Sequence, residues 1–557
     1  MATAADYLAT AIEAYEVDAV FLVPTVLSDT LVAMEQHTDI RRVVTHGEKA
    51  AAYMADGYAR SSGRLGVCMA QNVGAANLAA GLRDAYLGSS PVLALTGGPY
   101  ETSRGRHYYQ EIEDFPLFKP VTKVSGQVHD AARLPDMLAH AVRTSMSGRP
   151  GPVHLELAGH TGDVLEAQEL DAEVPQVPHR LPAPVVQPDP DAVRRAAEVL
   201  RGARRPVIVA GGGVRTGGAG AQVLALAEQL QAPVATSLNA KSVVPADHSL
   251  AVGVPGLYAR GSANQVLVEA DLVLFVGTQT GSQLTLTWTV PPIDVQVIQI
   301  DVEPTELGRH YPRTVGIQGD AGRTVDALRE AVEDHRLDGT WARRAQDLGR
   351  AWQEENREYL TSEAIPMRPE RLSSDVGRLL PDDALLVADT GHAGMWTGGY
   401  VDLREGQDYI RAAGSLGWGL PAALGAALGR PDRPVALFTG DGGLWYHVAE
   451  LETAARWDIP AVIVVNDNRS LNQEINPYTK AYGGSLTGRH HELWHFQDID
   501  LAALASAFGV GSRRVTRPGD LDSAFDEAFS HGGPFLLDVV TDMEVVAPKG
   551  VATPAAR

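Results

Sequence analysis

The stretch FTGDGGLWYHVAELETAARWDIPAVIVVNDNRS, residues 438–470, decides how the chain is read. It opens at the carboxyl end of an expected strand, Pro434 to Gly440, the edge at which open α/β sheets place their ligands. Gly440, Gly442 and Gly443 let the backbone turn tightly and bring N–H groups close to an anion, and Asp441 adds a carboxylate. A helical stretch, Leu444 to Trp457, leads into a second apolar strand that ends in Asn466, Asp467 and Asn468. Parallel neighbouring strands joined by one crossover helix bring Asp441 and Asn468 to the same sheet edge. A carboxylate, an amide oxygen and a main-chain carbonyl suit Mg2+, which takes few protein groups together with phosphate oxygens and water. The combination implies a bound diphosphate.

Working outward, short β-rich runs alternate with longer helical stretches, which predicts parallel sheets wound by crossover helices. Such blocks recur three times. Strands are expected at 18–24, 65–71, 91–98 and 151–157; at 206–212, 233–238, 271–277 and 295–301; and at 384–389, 434–440, 461–467 and 534–540. The proline-rich stretch 173–190 cannot lie inside helices or central strands and reads as a linker. The fold class is therefore α/β, with three doubly wound parallel-sheet domains. The expected division is a first domain over 1–172, the linker, a central domain over 191–335, a connecting helical segment over 336–366, a last domain over 367–545 and a C-terminal tail over 546–557.

Composition excludes several classes. With 45% hydrophobic and 21% charged residues the 557-residue chain is ordinary globular material for a few domains. A net charge of -22 without a basic run argues against nucleic acid or anionic lipid as a partner. The single cysteine, Cys68, can form neither an intrachain disulfide nor a cysteine metal cluster. Neither a secretory pattern nor an apolar run of membrane-spanning length occurs, so a cytoplasmic location is expected. P-loop, hydrolase-elbow and HExxH patterns are missing, and AGGGVRTGGAG (210–220) has Thr216 where the dinucleotide fingerprint needs its third glycine.

The 27 positions from Asp441 to Asn468 make this stretch resemble the diphosphate motif of thiamine-diphosphate enzymes, which runs from Gly-Asp-Gly to a paired Asn-Asn. The first Asn of the pair is here Asp467. The resemblance implies Asp441 and Asn468 as side-chain magnesium ligands, with the Ser470 carbonyl as a third. THGEKAAAYMADGYAR (45–60) looks like the glutamate-bearing helix of the acetolactate synthase branch. There a carboxyl group, here Glu48, contacts the aminopyrimidine of the cofactor and favours the tautomer that removes the thiazolium proton. Further matches assign Gly74 and Asn77 to the family's glycine turn, and Tyr109 and Gln110 to residues that reach the substrate. Gly391, His392, Ala393 and Gly394 match a first diphosphate-contacting turn, although a lone histidine in a loop is more often solvated. Leu416, before a Gly/Ala-rich helix, matches the wedge beneath the bent cofactor; the alternative is an ordinary core leucine.

The resemblance thus implies a thiamine diphosphate- and Mg2+-dependent enzyme that decarboxylates a 2-oxo acid and transfers the acyl-anion equivalent to a carbonyl acceptor. It also implies a homodimer or homotetramer with sites between subunits. A non-ligating decarboxylase, an aldehyde lyase, an inactive structural homologue and a nicotinamide or flavin oxidoreductase are the alternatives. His107 stands alone where simple decarboxylases carry a histidine pair, which favours carboligation. Thr25 and Val26 replace two glycines of acetolactate synthases and point to an altered acceptor pocket. In GTQTGSQ (277–283), Gln279, Gly281 and Gln283 replace the charged residues that hold FAD in that branch, so FAD is doubtful. His490 and His491 lie in a glycine-rich segment suited to a closing loop or a plain surface loop.

Overall fold

The computed structural model describes residues 2–100, 102–183 and 185–550. Three six-stranded, wholly parallel sheets follow one another along the chain. The first contains β1 (Ala19–Leu22), β2 (Arg41–Val44), β3 (Gly66–Ala70), β4 (Val92–Gly98), β5 (Ser125–Val128) and β6 (Val153–Ala158), in the order β2-β1-β3-β4-β6-β5. The second contains β7 (Pro206–Ala210), β8 (Val234–Thr236), β9 (Ala251–Gly253), β10 (Leu272–Val276), β11 (Gln296–Asp301) and β12 (Thr314–Gln318), in the order β12-β11-β10-β7-β8-β9. The third contains β13 (Leu385–Ala388), β14 (Asp408–Arg411), β15 (Val435–Gly440), β16 (Ala461–Asp467), β17 (Gly511–Val515) and β18 (Phe535–Val540), in the order β14-β13-β15-β16-β18-β17. The first and third sheets therefore share one winding order, while the middle sheet has the order of dinucleotide-binding folds.

The twelve strands expected from the sequence are all present, and every one is interior to its sheet. Apolar runs such as β10 and β16 are buried along their whole length, as strands covered by helices on both faces must be. The six strands that the sequence did not announce are the six sheet edges. Apart from β14, which is largely buried, their residues are mostly half-buried and in part charged, as in Arg41–Val44 and Gly511–Val515.

The first and third sheets are joined by a crossing of two helices, Glu48–Ser62 and Gly419–Gly429. A Cβ on Gly57 would lie 2.0 Å from the Ala422 carbonyl oxygen, and one on Gly425 1.9 Å from that of Met54. Glycine at both positions lets the backbones touch, and one apolar core runs through the contact.

Three local expectations are corrected, and one gains its bounds. The stretch Leu444 to Trp457 is two short helices, Asp441–Trp445 and Glu450–Arg456, because the chain turns at 446–449 to bring Glu450 under the His46 backbone N–H. Pro190, placed in the linker, is the first residue of the helix Pro190–Arg201, capped by Asp189. The connecting segment, expected to be helical over 336–366, holds a 21-residue helix, Thr340–Leu360. Of the tail expected at 546–557, residues 551–557 lie outside the described residues; Ala547 is buried in the core of the third sheet, and the Gly550 N–H donates to the Leu257 carbonyl of the central unit at 3.1 Å.

Candidate active site

In an order such as β2-β1-β3 the crossovers leave in opposite directions on either side of β1 and β3, and a crevice opens at their carboxyl ends. In the third sheet that crevice lies between β13 and β15, which are hydrogen-bonded neighbours. The turn after β13 carries Gly391, at φ +66°, followed by the helix His392–Tyr400. The turn after β15 carries Gly440 to Gly443. Both glycine turns thus face one crevice, with β16 ending alongside.

Asp441 is buried, and its Oδ2 has no hydrogen-bond partner. Burial, reinforced by the negative Asp467, pushes its carboxyl up to about 8. Asn468 and Ser470 are buried beside it; Asn468 Oδ1 accepts from the Ser470 N–H at 3.1 Å and from its hydroxyl at 3.0 Å. A bare, buried carboxylate oxygen next to an amide oxygen is a donor set that a cation would satisfy. Among the described residues no cluster of three or more His, Cys, Asp or Glu could hold a metal. Asp467 does not join this set. Its Oδ1 accepts from the Arg469 N–H at 3.1 Å, and burial together with the negative Asp467 pushes the titration of Asp538 upward.

Asp389, quoted in the sequence only as the end of a strand, organises this edge. Its carboxylate accepts from the N–H groups of Thr390, Gly417 and Gly419 and from the Thr439 hydroxyl. One buried side chain therefore ties the 390–394 turn, the 415–419 turn and β15 together. Burial raises it to about 6 against the pull of those N–H groups. A Cβ on Gly443 would approach Asp389 Oδ2 to 2.8 Å, which is why the turn keeps glycine there.

His392 is not a solvated loop histidine. It is largely buried at the helix start, and burial pushes it down to about 4. Its Nδ1 pairs with Asn472 Oδ1 at 2.7 Å, while the Asn472 amide donates to the carbonyls of Met543 and Val545. The amide orientation is thus fixed, Nδ1 carries the proton and Nε2 is the bare acceptor. Ala393 and Gly394 are buried in the same turn of helix. Leu416 is half-buried in the turn before Gly417, outside the apolar core.

In the first sheet the corresponding crevice lies between β1 and β3. Glu48 opens its helix half-buried. Asn77 Nδ2 donates to Glu48 Oε2 at 3.1 Å, and Gly74 lies so close that a Cβ there would come within 2.6 Å of Oε1. Glu48, Gly74 and Asn77 form one group. Gln110 (φ +64°) receives a hydrogen bond on its carbonyl from Asn72 Nδ2. Tyr109 is 79% exposed. Thr25 is exposed after β1, but Val26 is fully buried among the core residues of the first sheet and cannot line a pocket, which corrects that half of the expectation. No hydrogen bond among the described residues links Glu48 to the Asp441 edge.

Comparison with known proteins follows the three sheets. The thiamine pyrophosphate enzyme N-terminal TPP-binding domain matches residues 2–117, the central domain of the same enzymes 193–328 and their C-terminal TPP-binding domain 389–539. A probable acetolactate synthase large subunit of Methanocaldococcus jannaschii is 32% identical over 93% of this chain and 88% of its own length. The acetolactate synthase isozyme 1 large subunit of Escherichia coli is 30% identical over 92% and 89%. A putative thiamine pyrophosphate-containing protein of Bacillus subtilis is 28% identical over 98% and 93%. With three domains matched in order and relatives covering nearly its whole length, this chain belongs to the thiamine pyrophosphate enzymes and, within them, to the acetolactate synthase-like branch.

Proposed function

We propose that the enzyme binds thiamine diphosphate through Mg2+ at the β13–β15 crevice, decarboxylates a 2-oxo acid and passes the two-electron acyl unit to a second carbonyl compound. The observation that carries the reading is the bare Oδ2 of buried Asp441 beside Asn468 and Ser470. Asp441 and Asn468 would supply side-chain oxygens to the cation, and Ser470 its carbonyl. The glycine turns at 391–394 and 440–443 would admit the diphosphate, with Leu416 projecting from the turn that Asp389 holds. When bound, thiamine diphosphate supplies a nucleophilic carbon and an electron sink for loss of carbon dioxide.

Glu48 would hold and move a proton at the pyrimidine. Asn77 occupies one lone pair of Oε2, and the missing side chain at Gly74 keeps Oε1 open. Gln110 and Tyr109, on the segment after β4, and Thr25, after β1, would face the reacting carbonyl compounds. A homodimer follows if Glu48 of one copy meets the Asp441 edge of another. Val73, Ile112 and Leu117, exposed around the Glu48 edge at 45%, 52% and 46%, are apolar surface that such a partner would cover.

The test is to supply pyruvate alone, then pyruvate with assorted aldehydes and ketones, and to weigh the products. Coupled hydroxyketones support carboligation, and free aldehyde as the sole product would point to simple decarboxylation. Efficient acetolactate formation from pyruvate alone would refute a specialised acceptor pocket.

A further inference from the structure

Glu48 begins its helix without a capping side chain. Gly47 stands at the N-cap, and the chain reaches it from the edge strand β2 through the turn 45–47. Glycine is conformationally free, and an edge strand has a partner strand on one side only, so the first sheet by itself sets the direction of this helix loosely. Within the first unit the turn is tied by Thr45, whose N–H and hydroxyl reach the Leu22 carbonyl and whose hydroxyl also reaches that of Gly47.

The third unit closes the open side. Arg456 Nη2 donates to the Val44 carbonyl at 2.7 Å, and Glu450 Oε1 accepts from the His46 N–H at 3.0 Å, across 404 positions of sequence. The His46 ring also meets Glu452 at 2.7 Å, but both side chains are largely in solvent and that pair contributes little. Glu450 differs. It is 1% exposed, and its Oε2 accepts from the Thr453 hydroxyl at 2.7 Å. Both donors are neutral, and among the described residues no cation lies within 4 Å of its oxygens. A buried carboxylate without a counter-ion is costly, and what this one secures is the backbone two positions before Glu48. The turn that delivers Glu450 is itself anchored, since His447 Nδ1 donates to the Gly417 carbonyl at 2.8 Å.

We propose that Glu450 is a positioning residue for Glu48: by holding the His46 N–H it fixes where the helix starts, and so where the Glu48 carboxyl stands. The inference rests on the proposed role of Glu48 at the pyrimidine. Glu450 carries no proton in this account. Its reach matters, and its charge only strengthens the bond to the N–H.

Two substitutions separate reach from charge. Glu450→Gln keeps the length and loses the charge, whereas Glu450→Asp keeps the charge and is one methylene too short. Two readouts are taken on the full-length protein. In the cofactor-free protein the His46 amide should exchange with deuterium about tenfold faster or more in Glu450→Asp and as in wild type in Glu450→Gln. With Mg2+ and thiamine diphosphate bound, exchange of the thiazolium proton should slow by about 10–100-fold in Glu450→Asp, the scale on which a small misplacement acts, with cofactor affinity unchanged, and stay near wild type in Glu450→Gln. If Glu450→Asp does not fold, Thr453→Val, which releases the second oxygen of the carboxylate, is read instead and should move both rates in the same directions by smaller factors. The inference is overturned if the variant read leaves both rates at the wild-type value, or if Glu450→Gln slows the thiazolium exchange as much as Glu450→Asp does. Unslowed thiazolium exchange in Glu48→Gln would instead sink the functional reading, and the His46 amide would still decide whether Glu450 holds the turn.

Discussion

The Asp84 carboxylate accepts a hydrogen bond from the Ser415 backbone N–H at 2.9 Å, across 331 positions of sequence. The same carboxylate accepts from the N–H groups of Ala413 and Gly414, and Arg60 is hydrogen-bonded to it at 3.1 Å. A buried side chain of the first unit therefore holds the turn that carries Leu416 in the third. Asp84→Ala leaves Arg60 and three N–H groups short of an acceptor and should cost about 3–5 kcal/mol. Urea unfolding reads the loss, and cofactor affinity should fall with it. A variant with wild-type stability and affinity would show the turn to be held by other means.

The Glu48–Ser62 and Gly419–Gly429 crossing gives a second prediction. Gly57→Ala would drive its methyl into the Ala422 carbonyl, and parting the helices should cost about 1–3 kcal/mol. Gly349→Ala, half-buried on its helix with open space where the methyl would go, is the control and should unfold at or above the wild-type temperature.

Glu48 and Asp441 should separate in their effects. Glu48→Gln removes a proton carrier and keeps the shape, so thiamine diphosphate should remain bound while turnover falls at least 100-fold, within the roughly 10²–10⁴-fold range of general acid–base groups. Asp441→Ala removes the cation's carboxylate and should empty the site. Near-normal turnover in Glu48→Gln would remove the residue from the mechanism.

The pH dependence of the metal-free protein follows from Asp441, which holds its proton up to about pH 8 in the fold against a reference value of 3.8. Between about pH 4 and 8 the native state binds one proton more than the unfolded chain, so this group's contribution to stability is complete below pH 4 and is lost as the pH rises to about 8. Urea unfolding in EDTA should show this slope in wild type and not in Asp441→Asn. Cation binding must displace the proton, so below pH 8 the affinity for Mg2+ with cofactor should rise by up to about tenfold for each unit by which the pH is raised, as worked from this one-proton linkage.

The interior strands were legible because burial on both faces requires continuous apolar runs, as in Ala461–Asp467. The edge strands were not, because partners and helices cover them on one side only: Arg41–Val44 and Gly511–Val515 keep charges that read as loop. Asp441, Asn468 and Glu48 could be nominated from the sequence because spacing and glycine context are local; their roles are what the predictions above test. Asp389 and Asp84 were not, since what makes each important is a set of N–H groups supplied, Thr390 apart, by residues 28 to 331 positions away. Val26 was misplaced for the same reason: the sequence gives no sign of which face of the turn after β1 packs inward.

The central claim is that the β13–β15 crevice holds thiamine diphosphate through a cation on Asp441. The most direct measurement is to incubate the purified protein with thiamine diphosphate and Mg2+, remove the excess, denature and quantify what is released by mass. About one thiamine diphosphate per chain is expected from wild type, with almost none from Asp441→Ala or after chelation before loading. Release of none from the magnesium-loaded wild type, or equal release from Asp441→Ala, would contradict the account.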